Sequence, residues 1–94
     1  MARREIRELF NENTVIHCKT FADDCEVRNV LNSYAFKWAD TSPMTQSFWN
    51  EYEDKMCIDP FECRYCHIDY YKKNNRNIIS TKEFLTIVDD NRYE

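Results

Sequence analysis

The chain has 94 residues, 43% apolar and 15% aromatic, which excludes a disordered segment and leaves room for a single domain over residues 1–94. Seventeen acids against thirteen bases give a net charge of −4, which argues against direct nucleic-acid binding and against an anionic membrane surface. There is no glycine, so the dinucleotide fingerprint and the P-loop are both excluded, and every turn with positive φ must use another residue.

Residues 1–10 (MARREIRELF) carry charge throughout and have no apolar stretch of the signal-peptide kind. No apolar run approaches membrane-spanning length, so a cytoplasmic protein is expected. Five cysteines (Cys18, Cys25, Cys57, Cys63 and Cys66) are an odd number. In a reducing compartment they are expected to be separate thiols and not a disulfide framework.

Residues 2–10 read as a short amphipathic helix, with Ile6, Leu9 and Phe10 on one face. Residues 14–19 (TVIHCK) are β-branched and read as a strand. Val15, His17 and Lys19 fall on one face, Ile16 and Cys18 on the other. Thr20 and Asp23 form a capping-box-like start for a helix over residues 21–34, whose apolar face is Val27, Val30, Leu31 and Tyr34. Residues 35–38 (AFKW) are expected to form a second short strand with Phe36 and Trp38 on one side.

Residues 39–47 show no regular pattern. Phe48, Trp49 and Tyr52 then cluster among Glu51, Glu53 and Asp54, as a helical turn or a loop packing its aromatics inward. Residues 56–58 and 62–68 read as a hairpin around Asp59-Pro60. Residues 69–74 read as a short helix stopped by Asn74 and Asn75, and residues 77–80 as the last strand. Ser80 or Thr81 caps a short helix around residues 83–85, followed by a polar tail. The expected class is α+β: a small, mostly antiparallel sheet with one main helix packed on one face.

Three groups of residues carry candidate chemistry. Cys63, Cys66 and His67 form C-x-x-C-H, and two thiolates at that spacing can share a zinc ion if the backbone turns between them. In a plain strand, positions i and i+3 face opposite sides, so no metal site is assigned and separate thiols are expected. A nucleophile-and-base pair of Cys18 with His67 has no support from spacing, and adjacent His17 and Cys18 face opposite ways. No catalytic residue and no cofactor is assigned.

Charge is distributed unevenly. Residues 40–69 hold seven acids and two bases, whereas residues 70–82 hold four bases and no acid. Within the acidic stretch, Trp49, Glu51, Tyr52, Glu53 and Asp54 offer aromatic anchors with a negative rim, which suits a basic partner surface. The competing reading is a set of solvated acids above core aromatics. In the basic stretch, Tyr70, Tyr71, Lys72 and Arg76 form a weak nucleotide-binding pattern, against which stands an amphipathic turn with its tyrosines in the core.

The order V-I-H-C-x-T (with His17, Cys18 and Thr20), F-K-W (Phe36, Lys37, Trp38), W-x-x-Y (Trp49, Tyr52), a strand led by Cys57, Y-Y-x-K (Tyr70, Tyr71) and I-I-x-x-x-x-F-L (Ile78, Ile79, Phe84, Leu85) spans roughly residues 14–85. In this order the chain resembles a loose group of small accessory proteins from phages and mobile elements of low-GC Gram-positive bacteria. Some proteins of that kind inhibit host defences such as CRISPR nucleases. The resemblance implies a phage-type accessory protein, and the expectation drawn from it is a non-enzymatic inhibitor acting in the cytoplasm of a bacterial host. Its partner would be a host protein with a basic surface, such as a nucleic-acid enzyme, met through Trp49, Glu51, Tyr52, Glu53 and Asp54. The alternatives are a binder of a nucleotide signal through Tyr70, Tyr71, Lys72 and Arg76, and a zinc-stabilised interaction module. Where the resembling proteins turn on glycine, this chain has Ala35, Cys66 and Asn75. Asn75 can fill a left-handed position, whereas Ala35 and Cys66 are expected to adopt another geometry.

Overall fold

The computed structural model describes residues 6–90. Helix α1 (Ile6–Leu9) leads into strand β1 (Thr14–Cys18) and helix α2 (Phe21–Ser33). A long loop follows, then the one-turn helix α3 (Trp49–Tyr52) and a 3-10 turn (Glu53–Lys55). Strands β2 (Met56–Asp59) and β3 (Arg64–His67) form the hairpin. Helix α4 (Ile68–Lys73), strand β4 (Asn77–Ser80) and helix α5 (Thr81–Asp90) come last. Of the expected helix over residues 2–10, the part before Ile6 lies outside the described residues, as does the tail after Asp90. Among the described residues, no helix is long and apolar enough to cross a membrane.

The class is α+β, and the four-stranded sheet has the order β3-β2-β1-β4. The β1–β2 and β2–β3 pairs are antiparallel, while β4 lies parallel to β1, so the sheet is mixed. Alternation along β1 sorts the core into two layers, as the sequence predicts. Ile16 and Cys18 join Val27, Leu31, Phe84 and Val88 on the side covered by α2 and α5. Val15 joins Cys57 and Tyr71 on the side covered by α4. The main helix therefore shares its face with α5, and a shorter helix covers the other face.

Local chemistry explains the helix ends. Thr20 has an extended backbone and its Oγ1 accepts the Asp23 N–H at 3.0 Å, the predicted N-cap of α2. Ser80 Oγ accepts the Glu83 N–H at 3.0 Å and starts α5. That helix runs to Asp90, well past the expected residues 83–85, because Phe84 and Val88 recur one turn apart and are both buried. Phe10 also stacks on Phe84, with ring centroids 5.5 Å apart.

Residues 35–38 do not form the expected strand. Ala35 takes φ 65°, the left-handed region, which corrects the expectation that it avoids that geometry. It occupies the residue after the C-cap of α2. The Phe36 N–H donates to the Leu31 carbonyl and the Ala35 N–H to the Asn32 carbonyl, both at 3.0 Å, the two bonds of a Schellman cap. The chain beyond makes only a single bridge, Lys37 with Pro43, while Phe36 and Trp38 remain buried. Asn75 ends α4 in the same way at φ 56°, with Arg76 N–H donating to the Tyr71 carbonyl and Asn75 N–H to the Lys72 carbonyl. Cys66 makes no turn, being inside β3 opposite Cys57. The left-handed residue of that hairpin is Cys63, at φ 57°.

Two arginines neutralise buried carboxylates. Arg76 Nη2 lies 2.8 Å from Asp59 Oδ2, and the side chain also donates to the carbonyls of Asn13 and Glu12. Arg28 Nε donates to Asp24 Oδ2 at 3.0 Å, and its Nη1 reaches the carbonyls of Met44 and Thr45, which secures the long loop against α2.

Two outcomes follow in denaturant unfolding. Ala35→Gly relieves a left-handed alanine and stabilises the protein by about 1 kcal/mol, with a smaller gain for Asn75→Gly and a loss for Cys66→Gly in its strand. Arg76→Met leaves Asp59 buried without its counter-charge and destabilises by about 3–5 kcal/mol.

Candidate functional site: an acidic rim over half-buried aromatics

Helix α3 is a single turn, started by local bonds and packed on the core through Trp49 and Tyr52. The Trp49 N–H donates to Ser47 Oγ at 3.2 Å and the Glu51 N–H to the Phe48 carbonyl at 3.1 Å. Glu53 then takes φ 47° and ψ −123°, which ends the turn and redirects the chain into the 3-10 segment. His17 secures that segment from β1, its Nε2–H donating to the Asp54 carbonyl at 2.7 Å. His17 itself is half-buried on a sheet face, as its strand position predicts.

Within this frame, Glu51, Glu53 and Asp54 are exposed and Trp49 and Tyr52 are half-buried. The acids are solvated, and the two aromatics keep part of their surface outside. Underneath, Phe48 stacks on Tyr65 at 4.6 Å and 12°, and Trp38 meets both rings edge-on at 5.3 and 5.5 Å. Tyr52 lies 6.1 Å from Tyr65 and 5.7 Å from the His67 ring. The Tyr65 hydroxyl is pushed up, first by desolvation and then by its hydrogen bond with Glu51 and the charges of Glu51, Tyr52 and Asp40, so it stays a neutral donor.

Phe21 completes the surface. It is 52% exposed and meets the Trp49 ring edge-on at 6.2 Å. Sequence reasoning singled out no role for it. The available signal is its phase: six residues before Val27, it is off the helical face that carries Val27, Leu31 and Tyr34.

The C-x-x-C-H residues diverge. Cys63 lies in the hairpin turn and packs on the α2 side of the sheet, whereas Cys66 packs on the α4 side. His67 Nδ1 accepts the Asp69 N–H at 3.0 Å and caps α4. Among the described residues, no group of three or more His, Cys, Asp or Glu side chains gathers where it could hold a metal ion. Cys18 and His67 share one row across the sheet through Met56, but two strand spacings, roughly 9–10 Å, separate them. Burial, foremost, and the nearby Asp24 carboxylate push the Cys18 thiol up, so it stays protonated and a poor nucleophile.

In the basic stretch, Tyr70 is 54% exposed and Lys72 is exposed, but Tyr71 is buried in the α4-side core. The Arg76 guanidinium sits 5.4 Å above the Tyr71 ring while pairing with Asp59. Tyr71 and Arg76 are thus engaged inside the fold, and the four residues do not line up on one outward face. Compared with known protein families, curated proteins and solved structures, the chain finds no match.

The buried thiols set a pH response. Burial pushes Cys57 from its ordinary value of 9.0 up to about 12, and Cys18 shifts in the same direction. The folded state keeps these protons where the unfolded chain releases them. Their stabilisation is therefore complete below about pH 9 and lost as pH rises toward about 12. Thermal melts from about pH 8 to about pH 11 should show a falling Tm, with a shallower fall in Cys57→Ala than in the parent.

Proposed function

We propose that the protein is a non-enzymatic binding protein that occupies a basic surface on a nucleic-acid enzyme. The observation that carries this reading is the outward display of Glu51, Glu53 and Asp54 around half-exposed Trp49 and Tyr52, with Phe21 exposed beside them. Aromatic anchors inside a charged rim are how small interfaces obtain affinity from a few residues and speed from long-range attraction. The protonated, buried Cys18 and its distance from His67 support a role without nucleophilic catalysis. On the resemblance drawn from the motif order, the source is a phage or mobile element. The partner is then a host defence protein such as a CRISPR nuclease, whose nucleic-acid groove supplies the positive charge.

Binding to such a nuclease, followed kinetically across salt concentrations, tests this. Affinity should fall steeply with salt. The triple change Glu51→Gln, Glu53→Gln, Asp54→Asn should weaken binding about tenfold or more, mainly through slower association. Phe21→Ala should act instead on the dissociation rate. Affinity that does not change between low and high salt would overturn the electrostatic reading.

A further inference from the structure

Next to the acidic rim, between the long loop and β3, lies a cleft of about 310 Å³ whose lining includes Trp38, Phe48, Tyr65, Cys63 and Asp40. This is the low end of ligand-pocket sizes, suited to one side chain and not to a larger ligand. Its walls are already ordered. The Trp38 indole N–H donates to the Gln46 carbonyl at 3.0 Å, and the Trp38, Phe48 and Tyr65 rings hold one another in the edge and stacked contacts described above. The Ala39 N–H donates to the Cys63 carbonyl at 2.9 Å and ties the loop to the hairpin turn.

The charged residues that line this cleft are Asp40 and Arg64. Asp40 is exposed at the mouth, and its Oδ1 accepts the Ser42 N–H at 2.9 Å. Bonds from Ser42 hold that carboxyl below its usual range, so it stays ionised. Glu51 lies outside the lining, on the acidic rim, where its charge acts on the Tyr65 hydroxyl. Arg64 also borders the cleft, but along β3 it alternates away from Tyr65, in register with Asp59. An anion would meet the Asp40 carboxylate here, with the Glu51 charge near Tyr65. A flat cation would meet aromatic surface and the Asp40 carboxylate, with the Glu51 charge nearby.

We propose that this cleft receives an arginine side chain of a basic partner. A guanidinium is preferred over an ammonium because it is planar, stacks on rings and binds a carboxylate through two N–H groups. The inference rests on the binding role proposed above and names its anchor: one partner arginine seated at Asp40, with the Glu51 charge nearby, against the Trp38, Phe48 and Tyr65 rings.

The test uses the whole chain and a small probe, so it does not depend on knowing the partner. N-acetyl-arginine amide is titrated in while the Trp38 indole N–H is followed by nitrogen-15 NMR. N-acetyl-citrulline amide, of the same shape without charge, is the control. A saturable Trp38 shift with the arginine probe is expected, at least about fivefold weaker with citrulline. Asp40→Asn and Glu51→Gln should each weaken it about three- to tenfold with the rest of the spectrum unchanged. Equal binding of citrulline, or tighter binding of N-acetyl-lysine amide, overturns the assignment. An unmoved Trp38 signal beside salt-steep partner binding removes the cleft and leaves the acidic surface standing. A Trp38 shift beside salt-insensitive partner binding supports the cleft and removes the wider reading.

Discussion

The ion pair of Asp59 with Arg76 holds together parts of the fold that are far apart in sequence. Asp59 ends β2 with a fully buried side chain. Its Oδ1 also accepts the N–H groups of Phe61 and Glu62, which shapes the hairpin turn. Arg76 precedes β4, covers the Tyr71 ring and bonds the carbonyls before β1. One guanidinium therefore joins the central strands, α4 and the edge strand that must return parallel to β1. Parallel pairing needs a long connection, and a buried charge with a single well-placed partner makes other registers unfavourable.

A second arginine does the same for the candidate site. Arg28, paired with the buried Asp24, caps the carbonyls of Met44 and Thr45, and Ser47 donates to that same carboxylate. The long loop has no regular structure of its own, so these bonds and the burial of Trp38 and Met44 give it a defined path. That path sets the Trp38 and Phe48 rings against Tyr65 and brings Asp40 to the same cleft.

The absence of glycine shapes the same region. Ala35, Thr41, Glu53, Cys63 and Asn75 all have positive φ; Glu53 belongs to the acidic rim and Cys63 to the cleft lining. A left-handed non-glycine residue carries about 1–2 kcal/mol of strain, and a β-branched one such as Thr41 is a particular outlier. Such strain persists only where the surrounding structure determines the geometry, which here is the aromatic packing and the two arginine networks.

Local patterns determined much of this protein from the sequence alone. β1 and its two faces, α2 with its Thr20 cap, the β2–β3 hairpin, α4 and β4 all follow from periodicity of two or 3.6 and from capping chemistry, which act over a few residues. The acidic run and its aromatics were equally legible, because charge and ring content are properties of the residues themselves. Tertiary structure alone decided the rest. Residues 35–38 have strand composition, but a Schellman cap and the burial of Phe36 and Trp38 override it. The parallel placement of β4 brings Arg76 to Asp59, seventeen residues away. The contact of Phe21 with Trp49 and the joining of Asp40 with Glu51 around Tyr65 are long-range juxtapositions. Spacing carries no trace of them, since packing free energy depends on which surfaces meet and not on their separation along the chain.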